Sequence, residues 1–231
     1  MAAGQEDMTS ARDGILNAVR GGLGVSGSDK TRSDAVATRL KAHPASTVPS
    51  RAKGSEEEIV KSFADMLQSQ EATLDWVSHA DDIPQAVAGY LRGQNLPARA
   101  RMGNDEMLEA LPWDAAAALE IARGPAEASD EVGITHAFGA AAETGTLVMT
   151  SGAENPTTLN FLPETHIAVI RQDDIVGSYE EIWARLRARY GEGTLPRNVN
   201  MISGPSRTAD VEQTMVLGAH GPRRLHVIVV D

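Results

Sequence analysis

Three stretches combine residue types able to do chemistry with small or turn-forming neighbours. In "AETGTL" (142–147), Glu143 stands between alanines and a glycine, at the edge of the apolar run Leu147, Val148 and Met149. A carboxylate in apolar surroundings is costly unless it is paired, hydrated or hydrogen-bonded. At a strand end before Gly145, which permits close backbone approach, it reads as a nucleophile, a general base or an anchor for a ligand hydroxyl. The competing reading is a carboxylate bonded to turn amides or to an arginine, which would fix the fold. In "SGPSRTAD" (203–210), Gly204 and Pro205 turn the chain out of a strand, and Ser206 or Thr208 can cap a helix carrying Val211, Met215 and Leu217. Such a helix start offers backbone amides to an anion, and Arg207 adds a bidentate donor. In "GAHGP" (218–222), His220 is held in a loop before the last strand, as an acid or base near neutral pH or as a turn-fixing donor. His166, entering "HIAVI", has the same ambiguity.

Other chemistries are set aside by what the chain lacks. With no cysteine there is no disulfide, no thiolate nucleophile, no cysteine-ligated zinc and no iron-sulfur cluster on this chain's own thiolates. The six histidines form no HExxH or HxH pair, so no metal site is expected. No GxxxxGK[ST] phosphate loop occurs, and no GxGxxG turn follows a strand, which argues against a bound flavin. With 32 acidic against 21 basic residues, the net charge of -11 disfavours nucleic acid or an anionic membrane as main partner. No apolar run approaches the roughly 18 residues of a membrane span, and the start lacks a signal-peptide pattern, so a soluble cytoplasmic protein is expected.

The elements that must position these residues read as a mixed α/β fold. Ser10 and Asp13 suggest a capping box opening a helix with Ile15, Leu16, Val19 and Leu23 on one stripe, ended by Gly21, Gly22 and Gly24. Residues 25–55 are poor in large apolar groups and read as an arm, with a short helix around Val36 and Leu40. The chain therefore divides into an N-terminal helix and arm, 1–55, and an α/β domain, 56–231. Within the latter, Ser55 caps a helix with Ile59, Val60, Phe63, Met66 and Leu67 on one stripe. Short apolar runs at 73–77 and 98–102, "EVGITHAF", "GTLVMTS", "HIAVI", "NVNMIS" and "LHVIVVD" read as strands, and 82–91 as a helix between the first two. Their continuous apolar character fits a parallel-rich sheet covered by helices on both faces. "SYEEIWARLRARYG" supplies one such helix, with a Glu181 to Arg185 pair at i,i+4.

Taken together, "AETGTLVMTSG", "LPETHIAVI", "SGPSRTADVEQTMVLGAHGP" and "LHVIVV" resemble the LUD-domain family, and within it the lactate utilization protein C group (LutC, YkgG), over roughly residues 56–231. The resemblance implies a Rossmann-like sheet similar to the phosphosugar isomerase and CoA transferase fold. It also implies a place in a three-part system that oxidises L-lactate to pyruvate, with iron-sulfur clusters on LutA-like and LutB-like partners and no cofactor in this chain. In related CoA transferases a glutamate before a small turn is the acyl-accepting nucleophile. Glu143 resembles that arrangement, with Thr144-Gly145 in place of the usual asparagine-glycine. The candidate pocket is thus Glu143 and His220 as catalytic groups, with Thr144, Gly145, Thr146, Gly204, Ser206, Arg207 and Thr208 binding a small carboxylate or phosphate. A stand-alone transferase or isomerase acting through Glu143, and a non-catalytic assembly module, are the alternatives. A homo-oligomer is compatible with each.

Overall fold

The computed structural model describes residues 3–26, 28–208, 216–218 and 220–231. The chain divides into two units, Met1–Ser46 and Thr47–Asp231.

The first unit holds α1 (Ala3–Leu23) and α2 (Lys30–Ala42). Helix α1 begins upstream of Ser10, so the expected capping box there is an interior helical segment. It also runs through Gly21 and Gly22 before stopping at Gly24, which has φ +62. In α2, Asp29 accepts from the Arg32 N–H at 3.2 Å, which satisfies one of the orphan donors of the first turn.

The second unit opens with Ser50–Ala52 and then α3 (Glu56–Ser69), whose capping box joins Ser55 to Glu58. Next come β1 (Thr73–Val77), α4 (Ile83–Gly93), β2 (Arg99–Met102), α5 (Glu106–Glu109), β3 (Glu120–Arg123), β4 (Val132–His136), β5 (Gly139–Ala141) and β6 (Thr146–Thr150). The chain continues through α6 (Thr158–Phe161), β7 (Thr165–Arg171), β8 (Ile175–Val176), α7 (Tyr179–Tyr190), β9 (Val199–Ile202), β10 (Arg207–Thr208), β11 (Val216–Leu217) and β12 (Arg224–Val230).

Among the described residues, six strands pair in parallel in the order β1-β12-β7-β4-β2-β3. Side chains alternate across a strand, so its two faces feed two cores. Ala168, Ile170, Val227 and Val229 pack with Phe63 and Leu67 of α3. Ile167, Val169, Ile228 and Val230 pack with Ile83, Val87 and Leu91 of α4 on the other face. Covering both faces is what makes these strands read as unbroken apolar runs.

A second sheet, β8-β5-β6-β9, projects from the segment between β4 and β12 and packs Ala141 and Val148 against Ile182 and Leu186 of α7. "GTLVMTS" and "NVNMIS" thus form an antiparallel pair, with Leu147 opposite Ile202, and not two members of the parallel sheet. Run length alone does not separate these cases, since a short buried strand looks the same in either. In α7, Glu181 takes the Ser178 N–H at 3.0 Å as a capping box, while Arg185 reaches Asp174 at 3.1 Å and the Asp173 carbonyl at 2.9 Å. The expected Glu181 to Arg185 pair is replaced by these contacts.

The connections leave β2 and β4 in opposite directions. Strand β2 leads outward to β3, while β4 leads inward to β7, and the two are neighbours through Arg101 opposite Gly133. The sheet therefore changes direction between their carboxyl ends.

Candidate functional site

Glu143 lies in a tight helical turn, Ala142–Thr144, that joins β5 to β6, and it is buried. Its Oε1 accepts the Tyr179 backbone N–H at 2.8 Å, and its own N–H donates to the Gly177 carbonyl at 3.0 Å. The carboxylate thus satisfies one of the unpaired amides at the start of α7, at the positive end of that helix. Gly145 follows at φ +62, and a Cβ there would come within 2.8 Å of the Leu67 N. Glycine is needed for that conformation and for the approach of α3.

Beyond the turn, a chain of hydroxyls leads away from Glu143. Thr146 Oγ1 lies 2.7 Å from each of Thr144 Oγ1, Tyr179 Oη and Ser203 Oγ. Ser203 stands on the wall of a cleft of about 230 Å³, which also takes in Gly204, Ser206, Arg207 and His220. The structure therefore brings four of the expected residues together in one cleft. Glu143, Thr144, Gly145 and Thr146 are outside its described lining and reach it through the Thr146 to Ser203 hydroxyl contact.

The expected capped helix after Ser206 takes a different form. Arg207 and Thr208 are the first strand of a short antiparallel pair, with Arg207 opposite Leu217 and Thr208 opposite Val216. The positions expected to continue the helix, including Val211 and Met215, lie outside the described residues. Ser206 ties the two loops: its N–H donates to the Pro222 carbonyl at 2.8 Å, its carbonyl accepts from Gly218 at 2.9 Å, and its Oγ accepts from the His220 N–H at 3.2 Å. Arg207 is half-buried, with one nitrogen shared between the Gln70 carbonyl and Glu71, the latter at 3.0 Å. Guanidinium carries five N–H donors in a planar fork, so these contacts fix its position and leave donors for a second partner. Gly204 lets the loop pass close to Gln70, since a Cβ there would lie 2.9 Å from the Gln70 Cβ.

Among the residues of this cleft that the sequence did not single out as site residues, Asn160 and His166 carry unpaired polar atoms. Asn160 is 1% exposed, and neither its amide oxygen nor its nitrogen has a partner among the described residues. His166 is equally buried; its Nε2 meets Thr135 Oγ1 at 2.7 Å, while Nδ1 has no partner. Burial lowers the His166 pKa to about 4, so the ring is neutral at physiological pH. Unpaired buried polar atoms are uncommon in folded proteins, and three of them beside one cleft mark a place where a ligand or solvent supplies the missing bonds. Asn160 gave no sequence signal because an asparagine before an aromatic is ordinary, and only the fold brings it beside His166.

The cleft opens at the amino ends of β7 and β12, where His166 and Leu225 lie. Ligands of open α/β sheets more often sit at carboxyl ends. Residues 201–204, 206–207 and 220–222, which lie between the end of β9 and the start of β12, supply most of the wall of this cleft. Among the described residues there is no group of three or more acidic or histidine side chains suited to a metal ion.

A sequence model of the LUD domain matches residues 60–230. The chain belongs to the LUD-domain family. Lactate utilization protein C from Shouchella clausii is 40% identical to this LUD domain over 101 residues, 44% of each chain. The protein of the same name from a Geobacillus strain is 39% identical over 119 residues, 51% of this chain and 48% of that one. This LUD protein therefore aligns with about half the length of those curated relatives. YkgG from Escherichia coli is 29% identical over 166 residues, 71% of this chain and 70% of that protein. A crystal structure of a DUF162-family protein from Deinococcus radiodurans superposes with a TM-score of 0.58 at 27% identity, covering 78% of this chain and all of that one. The mixed α/β architecture is thus shared with a solved relative. No helix among the described residues is long and apolar enough to cross a membrane.

Proposed function

We propose that this LUD protein is a component of an L-lactate utilization system, and that the Arg207 cleft holds a small carboxylate, lactate or pyruvate, while iron-sulfur partners move the electrons. The observation that carries the reading is the meeting of the Arg207 fork with the unpaired Asn160 amide and His166 Nδ1 in one small cleft. A carboxylate takes charge-assisted hydrogen bonds from the Arg207 Nε and Nη1 donors that Gln70 and Glu71 leave open, while the amide and imidazole serve the adjacent hydroxyl or keto oxygen. The names of the relatives, lactate utilization protein C, support the choice of lactate. Electron transfer is assigned to partners because the chain has no cysteine to ligate a cluster. LutA-like and LutB-like iron-sulfur proteins are the proposed partners, and the proposed setting is cytoplasmic. In this reading the exposed His220 of the cleft lining exchanges a proton with the ligand oxygen.

The test is co-purification from the native host, followed by lactate oxidation with the recovered partners. The reading expects cysteine-rich iron-sulfur proteins to co-purify. It also expects Arg207→Met to depress lactate-dependent electron transfer while retaining the partners. Turnover of lactate by partners alone, unchanged by adding this chain, would contradict it.

A further inference from the structure

A second cavity, of about 240 Å³, lies at the opposite edge of the sheet, where the chain changes direction between β2 and β4. This is where open α/β sheets place ligands, because connections leaving in opposite directions open a crevice beyond the carboxyl ends of the strands. Asp105 follows β2 and His136 ends β4, and both line the cavity. His136 Nδ1 lies 3.1 Å from Asp105 Oδ2, while Asp105 Oδ1 accepts the Leu108 N–H at 3.0 Å.

That geometry fixes the imidazole tautomer. Burial works to raise the Asp105 pKa, but its hydrogen-bonding and electrostatic contact with His136 and the Leu108 and Met107 amides outweigh it and hold the carboxyl below its ordinary value. An ionised carboxylate only accepts, so the proton between the pair sits on Nδ1 and a neutral His136 presents a lone pair on Nε2. That Nε2 is buried and has no partner among the described residues, and the same is true of Asn155 Oδ1 on the cavity wall. With the ring in its neutral form, these are two unmatched acceptors at one cavity, and they call for a ligand that donates. Arg189, above the Tyr190 ring, is the cation of the lining, which also carries the exposed Glu154 and the half-buried Asp174, the latter paired with Arg185 at 3.1 Å.

We propose that this crevice is a second ligand site, distinct from the Arg207 cleft, that takes a small hydroxyl-bearing anion. Its hydroxyls donate to His136 Nε2 and Asn155 Oδ1, and its anionic end meets Arg189. Asp105 is a positioning residue that holds His136 in the accepting tautomer. The Arg207 cleft, with its guanidinium and loop amides, recognises the charge of a carboxylate; the crevice recognises hydroxyls.

The experiment is a titration of the full chain followed through the His136 ring nitrogens by NMR, with D-glycerate as probe and propionate as the anion without hydroxyls. The expected result is the Nδ1–H tautomer in the free protein, a saturable shift of His136 with glycerate, and none with propionate. In Asp105→Asn the side-chain oxygen still caps Leu108 while the amide donates to Nδ1, so Nε2 becomes the protonated nitrogen. Glycerate affinity should then fall by roughly tenfold or more, as expected when a hydroxyl loses its acceptor. Should that variant fail to fold, the exposed Arg189→Gln should weaken glycerate and leave the tautomer unchanged. Equal shifts with both anions, no response of His136 to glycerate, or undiminished affinity in a folded variant would overturn the proposal.

Discussion

The Glu143 carboxylate accepts the Tyr179 backbone N–H at 2.8 Å and so joins the β5–β6 turn to the first turn of α7. Replacing it by glutamine removes a charge from the positive helix end and turns a charge-assisted hydrogen bond into a neutral one. Glu143→Gln should cost about 1–2 kcal/mol of stability. The affinity of the folded protein for L-lactate should be unchanged. Denaturant unfolding and calorimetric titration on the same variant check both, and a loss of binding at unaltered stability would place Glu143 in the chemistry.

The pairing of Glu143 with Tyr179 marks where sequence reasoning stopped. Its carboxylate was legible as needing a partner, but that partner is a backbone amide 36 residues away, and no spacing rule points to it. Five of the six parallel strands were legible, β4, β7 and β12 because they are apolar runs covered on both faces; β3, Glu-Ile-Ala-Arg with both ends exposed, was not. The β10–β11 pair was not, since "SRTADVEQTMVLG" satisfies a helix template and the pairing of Arg207 with Leu217 is decided by tertiary context. Ser206, Arg207 and His220 were legible as turn residues beside polar groups. Asn160 and the Asp105–His136 pair were not, because their significance comes from an unpaired atom and a strand order.

Stability should rise with pH between about 4 and 6.5. Burial lowers the pKa of both His166 and His226 to about 4, the latter against the opposing pull of Asp75, while an unfolded histidine titrates near 6.5. In that window the unfolded chain binds the extra protons, so each histidine's contribution is complete above pH 6.5 and is lost as pH falls toward 4. The slope should approach roughly 1.4 kcal/mol per pH unit for each ring. Asp105 and Asp130, whose pKa values are lowered, add their losses only below the ordinary carboxylate range. Urea unfolding across the window measures the slope, His166→Gln should reduce it, and a flat profile would contradict the account.

Asp130 is a third test. Its side chain is 2% exposed and accepts from the Glu127 N–H at 2.7 Å, from Arg101, and from Arg99 at 3.4 Å. Its burial is offset by these donors, which hold the carboxyl ionised. Asp130→Ala leaves the mostly buried Arg101 without its main partner and should destabilise by about 3–5 kcal/mol. Changing the exposed pair Lys61–Asp65 should cost under about 1 kcal/mol. Comparable losses for the two changes would show that burial does not set the strength of these pairs.

The central claim is that the Arg207 cleft binds a small carboxylate, and calorimetric titration of L-lactate into the purified chain tests it most directly. The account predicts saturable binding that is abolished in Arg207→Met, weakened in Asn160→Leu, and retained in Asp105→Asn, which leaves the cleft intact. Absence of binding to the wild-type chain, or binding indifferent to Arg207 in a folded variant, would contradict it.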